Sequence, residues 1–160
     1  MKLAELFSPC QILLDLKAVE RWGAIVELID GLISSGKFPG TLRDEILAAL
    51  KTREELVSTG IGCGVAIPHA FSEHVDQVVA VFGRSKTGID FEALDRVRVH
   101  FIILFIVPHK DYLLHLRTLS AIAKMFANSE VHRRLAAAQT HSDILAIFES
   151  KQPRSAAPGN

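Results

Sequence analysis

Val99-His100-Phe101-Ile102-Ile103-Leu104-Phe105-Ile106-Val107, followed by Pro108, is the stretch on which the fold turns. It is nearly all apolar and rich in β-branched and aromatic residues. A strand with one wet face would alternate with polar residues. This one does not, so it reads as a central strand covered on both faces. The wholly apolar part, Phe101 to Val107, is far shorter than the roughly 20 residues a membrane helix needs. Proline ends the strand.

Working outward, a helix is expected downstream from Tyr112 to Ala127, with Leu116, Leu119, Ala123 and Phe126 on its apolar face. Two shorter helices follow, Ser129 to Ala138 and Ser142 to Glu149. Upstream, Asp90 to Arg96 reads as a loop carrying Phe91 and Leu94 inward, and Lys86-Thr87-Gly88 as a turn. Gln77 to Gly83 reads as a strand, and Ser72 to Asp76 as a polar connection. Nearer the N-terminus, Ile25, Leu28, Ile29 and Leu32 mark one face of a helix from Ala18 to Ser34. Phe38-Pro39-Gly40 is a turn. Thr41 is placed to cap a second helix, with Asp44 three residues on, a stripe at Leu42, Ile46, Ala49 and Leu50, and an end near Leu56. Gln11 to Leu16 alternates as a short strand. Helices at both ends of a few strands imply an α/β domain, a three-layer sandwich with helices on both faces of a small sheet. Residues 1–150 are expected to form one domain. Residues 151–160, rich in Pro, Ser, Ala and Gly, are expected to be a frayed tail.

Lys plus Arg and Asp plus Glu each total 18 in 160 residues, a formal charge of zero. That balance argues against nucleic acid or an anionic membrane surface as the main partner. Cys10 and Cys63 lack metal-type spacing, and no apolar signal region opens the chain, so a reducing cytoplasm is the expected location.

The chemistry concentrates in Ser58-Thr59-Gly60-Ile61-Gly62-Cys63-Gly64-Val65-Ala66-Ile67-Pro68-His69. A glycine loop feeds a short buried strand that is expected to stop at His69. Pro68 fixes the backbone beside the ring. A histidine so aimed suits proton transfer, metal binding or phosphoryl carriage. The glycines match no dinucleotide or Walker pattern, but the N–H groups around Gly60, Gly62 and Gly64 are candidates for an anion-binding loop. His115 shares a helical face with Leu119, Ile122 and Phe126 and projects inward, where a packed histidine is the plain reading and a second imidazole facing His69 the functional one. Arg53 is either a surface charge balanced by Glu54 and Glu55 or a guanidinium gripping an anion beside the loop. His74, His132 and His141 read as solvated, His100 as a satisfied core or edge residue, and His109 as a solvated loop residue. Zinc held by His69 and His115 lacks a third protein ligand. The residues call for no metal and no cofactor.

The Ser58–His69 run resembles the phosphorylation-site signature of mannitol/fructose-type enzyme IIA domains of the bacterial phosphotransferase system. The likeness extends upstream through Arg53-Glu54. Downstream it takes in Gly88-Ile89-Asp90-Phe91, the Val99–Pro108 strand and His115-Leu116-Arg117-Thr118-Leu119-Ser120. Among subfamilies, the chain most resembles the regulatory, nitrogen-related enzyme IIA. The resemblance implies a mixed sheet between helices, with His69 accepting a phosphoryl group from a small histidine-containing phosphocarrier protein in the phosphoenolpyruvate-dependent relay. It also implies that His115 and Arg53 stabilise the phosphate and that regulatory targets are bound according to phosphorylation state. The alternative is a sugar-specific enzyme IIA that passes phosphate to an enzyme IIB.

Overall fold

The computed structural model describes residues 3–150; the expected tail lies outside the described residues. The strands are β1 (Ile12–Leu13), β2 (Gly60–Gly62), β3 (Val65–Ala66), β4 (His69–Ser72), β5 (Val79–Ile89) and β6 (Val99–Pro108). The helices are α1 (Arg21–Ser34), α2 (Arg43–Leu56), α3 (Tyr112–Phe126), α4 (Ser129–Ala137) and α5 (His141–Glu149). β6 runs through the middle of one mixed sheet. It pairs antiparallel with β5 on one side and parallel with both β3 and β4 on the other. β1 lies parallel beyond β5, and β2 antiparallel beyond β3.

The nearly unbroken apolar character of β6, interrupted only at His100, has a simple cause. Its side chains alternate between two cores. Phe101, Ile103, Phe105 and Val107 join a cluster with Ile122, Leu135 and Phe148 from α3, α4 and α5. Ile102, Leu104 and Ile106 join another with Leu28, Leu32 and Leu50 from α1 and α2. Burying each such side chain contributes about 1.5–3 kcal/mol. Helices therefore cover both faces, and the layered α/β expectation holds. Among the described residues, no helix is long and apolar enough to cross a membrane.

Several local expectations are corrected. Thr41 does not cap α2. It sits in a 3-10 turn, Gly40–Leu42, closed by the Leu42 N–H on the Pro39 carbonyl, and Leu42 occupies the cap position. Lys86-Thr87-Gly88 is no chain reversal: β5 continues to Ile89, with its register against β6 broken between Arg84 and Ile89. Gly88, at φ +84°, absorbs the irregularity and donates its N–H to Ser85 Oγ. Of the loop that follows, Phe91 is buried as expected, but Leu94 is 97% exposed. The N-terminal strand shrinks to Ile12–Leu13 because Pro9–Gln11 forms a 3-10 turn.

On α3 the buried face carries His115, Thr118, Ile122, Met125 and Phe126. The stripe is thus rotated from the one expected through Leu116 and Ala123, both of which are exposed. Arg117, Ser120 and Lys124 mark the solvent face, but apolar Leu113, Leu116 and Ala123 flank it, so apolar character alone misplaces the edge of the buried face.

Candidate functional site

β3 and β4 lie end to end along the same edge of β6, separated by Ile67-Pro68. The Ile67 N–H donates to the Thr59 carbonyl, while Pro68 has no N–H, and its carbonyl accepts from Phe105 N at 3.0 Å. The chain is thus pinned on both sides of the interruption. His69 opens β4 rather than closing a strand, a correction to the expectation. Alternation then turns Ala70 toward the α1/α2 core and His69 and Phe71 toward α3.

Four side chains from three elements meet here. His115, in the first turn of α3, is buried at 4% exposure, with its ring centroid 4.7 Å from that of His69. Phe71 stands edge-on to His115 at 5.2 Å. Arg53, in the last turn of α2, donates from Nε to His69 Nε2 at 3.3 Å and from Nη1 to the Val57 carbonyl at 2.8 Å. Val57 lies just past the end of α2, so the helix terminus aims the guanidinium it carries.

The bonding assigns the tautomer of His69. Its Nδ1 lies 2.9 Å from the Ile67 carbonyl, which only accepts, so Nδ1 carries the proton. The lone pair is therefore on Nε2, the atom facing Arg53. Burial lowers the His69 pKa, the Arg53 charge adds to this, and the Ile67 bond and Glu54 oppose it. His115 is pushed down to about 4, first by burial and then by His69 and Arg53. At neutral pH both rings are uncharged. His115 Nδ1 is buried with no hydrogen-bond partner among the described residues, an arrangement that costs about 1–3 kcal/mol until a partner arrives.

Glu54, named in the sequence only as a neighbour that could balance Arg53, is 5% exposed. Its carboxylate accepts from Thr59 N at 3.2 Å and from Thr59 Oγ1, and Arg21 Nη1 lies 3.9 Å away. It ties α2 to the start of the glycine hairpin. The signal was present: Leu47, Leu50 and Glu54 follow helical spacing on the buried face.

The glycines do something other than expected. Gly60 and Gly62 belong to β2, and Gly62, Cys63 and Gly64, with φ of +95°, +56° and +81°, form the reversal into β3. The Gly64 carbonyl accepts from His100 N and Phe101 N, whereas His69 is in register with Phe105. Four residues of strand separate the two, roughly 13 Å. The Gly62–Gly64 reversal is a hairpin end, not a cradle around His69. Gly60 is required by packing, since a Cβ there would lie 2.8 Å from Ala93 Cβ.

The remaining histidines stand apart from His69, except that His109 reaches Phe71 with ring centroids at 5.7 Å. His74 is exposed and pairs with Glu45 at 3.5 Å, and His141 is exposed. His100 Nδ1 bonds the Ser85 carbonyl. His132 is not solvated as expected: its Nε2 bonds the Phe126 carbonyl and its ring meets Phe101 and Phe126 edge-on. No group of three or more His, Cys, Asp or Glu among the described residues is placed to hold a metal ion.

Residues 5–151 match the family model described as "Phosphoenolpyruvate-dependent sugar phosphotransferase system, EIIA 2". The chain belongs to this EIIA family. The "PTS system fructose-specific EIIABC component" of Bacillus subtilis is 32% identical over 92% of this EIIA chain. The "Nitrogen regulatory protein" of Escherichia coli is 40% identical over 64% of it. The matched regions span 23% and 64% of those relatives' own lengths. Among solved structures, the nitrogen regulatory protein IIA-Ntr of Neisseria meningitidis superposes with a TM-score of 0.83 at 27% identity, covering 91% of this EIIA chain and 98% of that one.

Proposed function

We propose that this EIIA chain is a phosphohistidine carrier and regulator of the nitrogen-related branch, with His69 as acceptor and His115 and Arg53 as its partners. The observation that carries the reading is the His69 ring itself: proton on Nδ1 toward Ile67, lone pair on Nε2 toward Arg53. That lone pair attacks the phosphorus of a phosphorylated imidazole on the donor, a small histidine-containing phosphocarrier. As the new N–P bond forms, the donor's N–P bond breaks and its electron pair returns to the donor ring. Positive charge rises on the His69 ring, and the Ile67 carbonyl stabilises the N–H that bears it.

The transferred group brings a charge of about −1.5 to −2. Arg53 exchanges its bond to Nε2 for bonds to phosphoryl oxygens, and the unpartnered His115 Nδ1 gains a partner. Positioning and charge stabilisation supply the catalysis. Exposed Leu56, Val57 and Ile61 beside the α2 end, with Leu113 and Leu116 on α3, offer an apolar rim for the donor. The likeness to nitrogen regulatory proteins supports a regulatory role in which targets sense the phosphorylation state.

Incubation with phosphoenolpyruvate, the general relay enzyme and the phosphocarrier is expected to add one acid-labile phosphate, lost in His69→Ala. Full labelling of that variant overturns the assignment. The fructose-specific relative supports a second reading, a sugar-specific EIIA; rapid onward transfer to an enzyme IIB domain favours it.

A further inference from the structure

A second concave site opens at the other end of the sheet. It is a cleft of about 520 Å³, within the usual range for small-molecule sites. Its cationic wall is Arg84, Lys86 and Arg133, joined by His100 and His132, and no carboxylate among the described residues lines it. In a chain of zero net charge this one-sided lining is a local feature. Phe101 and Val97 supply apolar surface. The β5 irregularity between Arg84 and Ile89 builds one side, and such breaks in register commonly re-aim side chains at sites.

The cations are held in different ways. Arg84 is 6% exposed; its Nε donates to the Leu14 carbonyl at 3.0 Å, and its Nη1 to the Leu135 and Ala138 carbonyls at 2.9 and 2.6 Å. It thereby fixes the end of α4 and brings a buried positive charge to the cleft wall. Lys86 pairs with Asp15 at 3.3 Å and Arg133 with Glu130, but these two cationic side chains are 72% and 70% exposed. Such pairs are worth little in water, so an incoming anion competes for them. Asp95 is turned aside, accepting from Cys63 N and Val97 N. His100 Nδ1 and His132 Nε2 are anchored to carbonyls, which holds both rings in place. The cleft borders the Cys63-Gly64 hairpin end and is distinct from the His69 site, which lies beside Phe105 on β6.

We propose that this cleft binds a small organic anion, a phosphate or carboxylate head on a flat apolar body, with the head between Lys86, Arg84 and Arg133 and the body against Phe101. The probe is phenyl phosphate, titrated into nitrogen-15-labelled protein at constant ionic strength. Saturable amide shifts are expected at Cys63, Gly64, Ser85, Lys86 and Ala136. Inorganic phosphate is expected to move the same amides with weaker affinity. Affinity for phenyl phosphate is expected to fall by at least about tenfold in the double variant Lys86→Glu, Arg133→Glu, while relay labelling of His69 in that variant is unchanged. Absent or non-saturable shifts, shifts confined to the surroundings of His69 and His115, or undiminished binding by the double variant each overturn the site. Equal affinity for inorganic phosphate overturns the apolar body. None of these outcomes bears on whether His69 is labelled.

Discussion

Lowering the pH is expected to destabilise this protein through one identifiable ring. His115 sits at about 4 when folded, below the ordinary histidine value of 6.5, because burial and the neighbouring His69 and Arg53 oppose its charge. Above 6.5 the ring is neutral in both states and contributes nothing to the pH dependence. Between 6.5 and 4 the unfolded chain binds a proton that the folded one refuses, so stability falls as pH falls, then levels off below 4. At about 1.4 kcal/mol per pH unit, the gap between 6.5 and about 4 amounts to a loss of about 3 kcal/mol. His69, also held below its ordinary value, changes stability in the same direction. Urea unfolding of the wild type and His115→Asn from about pH 7 to about pH 4 isolates the ring, because carboxylates common to both proteins cancel. The difference between the two unfolding free energies is expected to shift by about 3 kcal/mol across that range. A difference that stays constant within about 0.5 kcal/mol refutes the reasoning, since the ring would then titrate as if in water.

Further outcomes follow from single contacts. Arg53→Lys loses the Nε donor to His69 and the forked geometry, and its rate of His69 labelling is expected to fall about tenfold or more with the fold intact. Thr59→Val leaves buried Glu54 without its hydroxyl donor and is expected to cost about 1–3 kcal/mol in urea unfolding. Gly64→Ala forces a side chain onto a φ of +81° with its Cβ 3.4 Å from the Arg98 carbonyl, and a loss of about 1–3 kcal/mol is expected in the same assay.

The layered fold was legible because β6 is apolar at every position but His100, and only a strand buried on two faces tolerates that. His115 was legible through its helical spacing, although the buried face of α3 runs through Thr118 and Met125 rather than Leu116 and Ala123. What failed were places where tertiary contacts overrule local chemistry. Lys86-Thr87-Gly88 has turn composition, yet pairing with β6 carries the strand past it. The alternating glycines suggested an anion loop, but the positive φ of Gly62 and Gly64 serves a hairpin reversal and Gly60 leaves room for Ala93. Helical spacing with Leu47 and Leu50 puts Glu54 on the buried face, but the Thr59 and Arg21 that fold over it are brought there by tertiary packing. The approach of Arg53 to His69 depends on how α2 docks along β4, which helical spacing does not encode.

The account rests on the lone pair of His69 lying on Nε2, turned to Arg53 and within reach of His115. Phosphorus–nitrogen coupling in the phosphorylated protein, with nitrogen-15 in the histidine rings, reads that atom directly. Coupling to His69 Nε2 alone is the predicted result. Phosphorus on Nδ1, or on any other histidine, contradicts it.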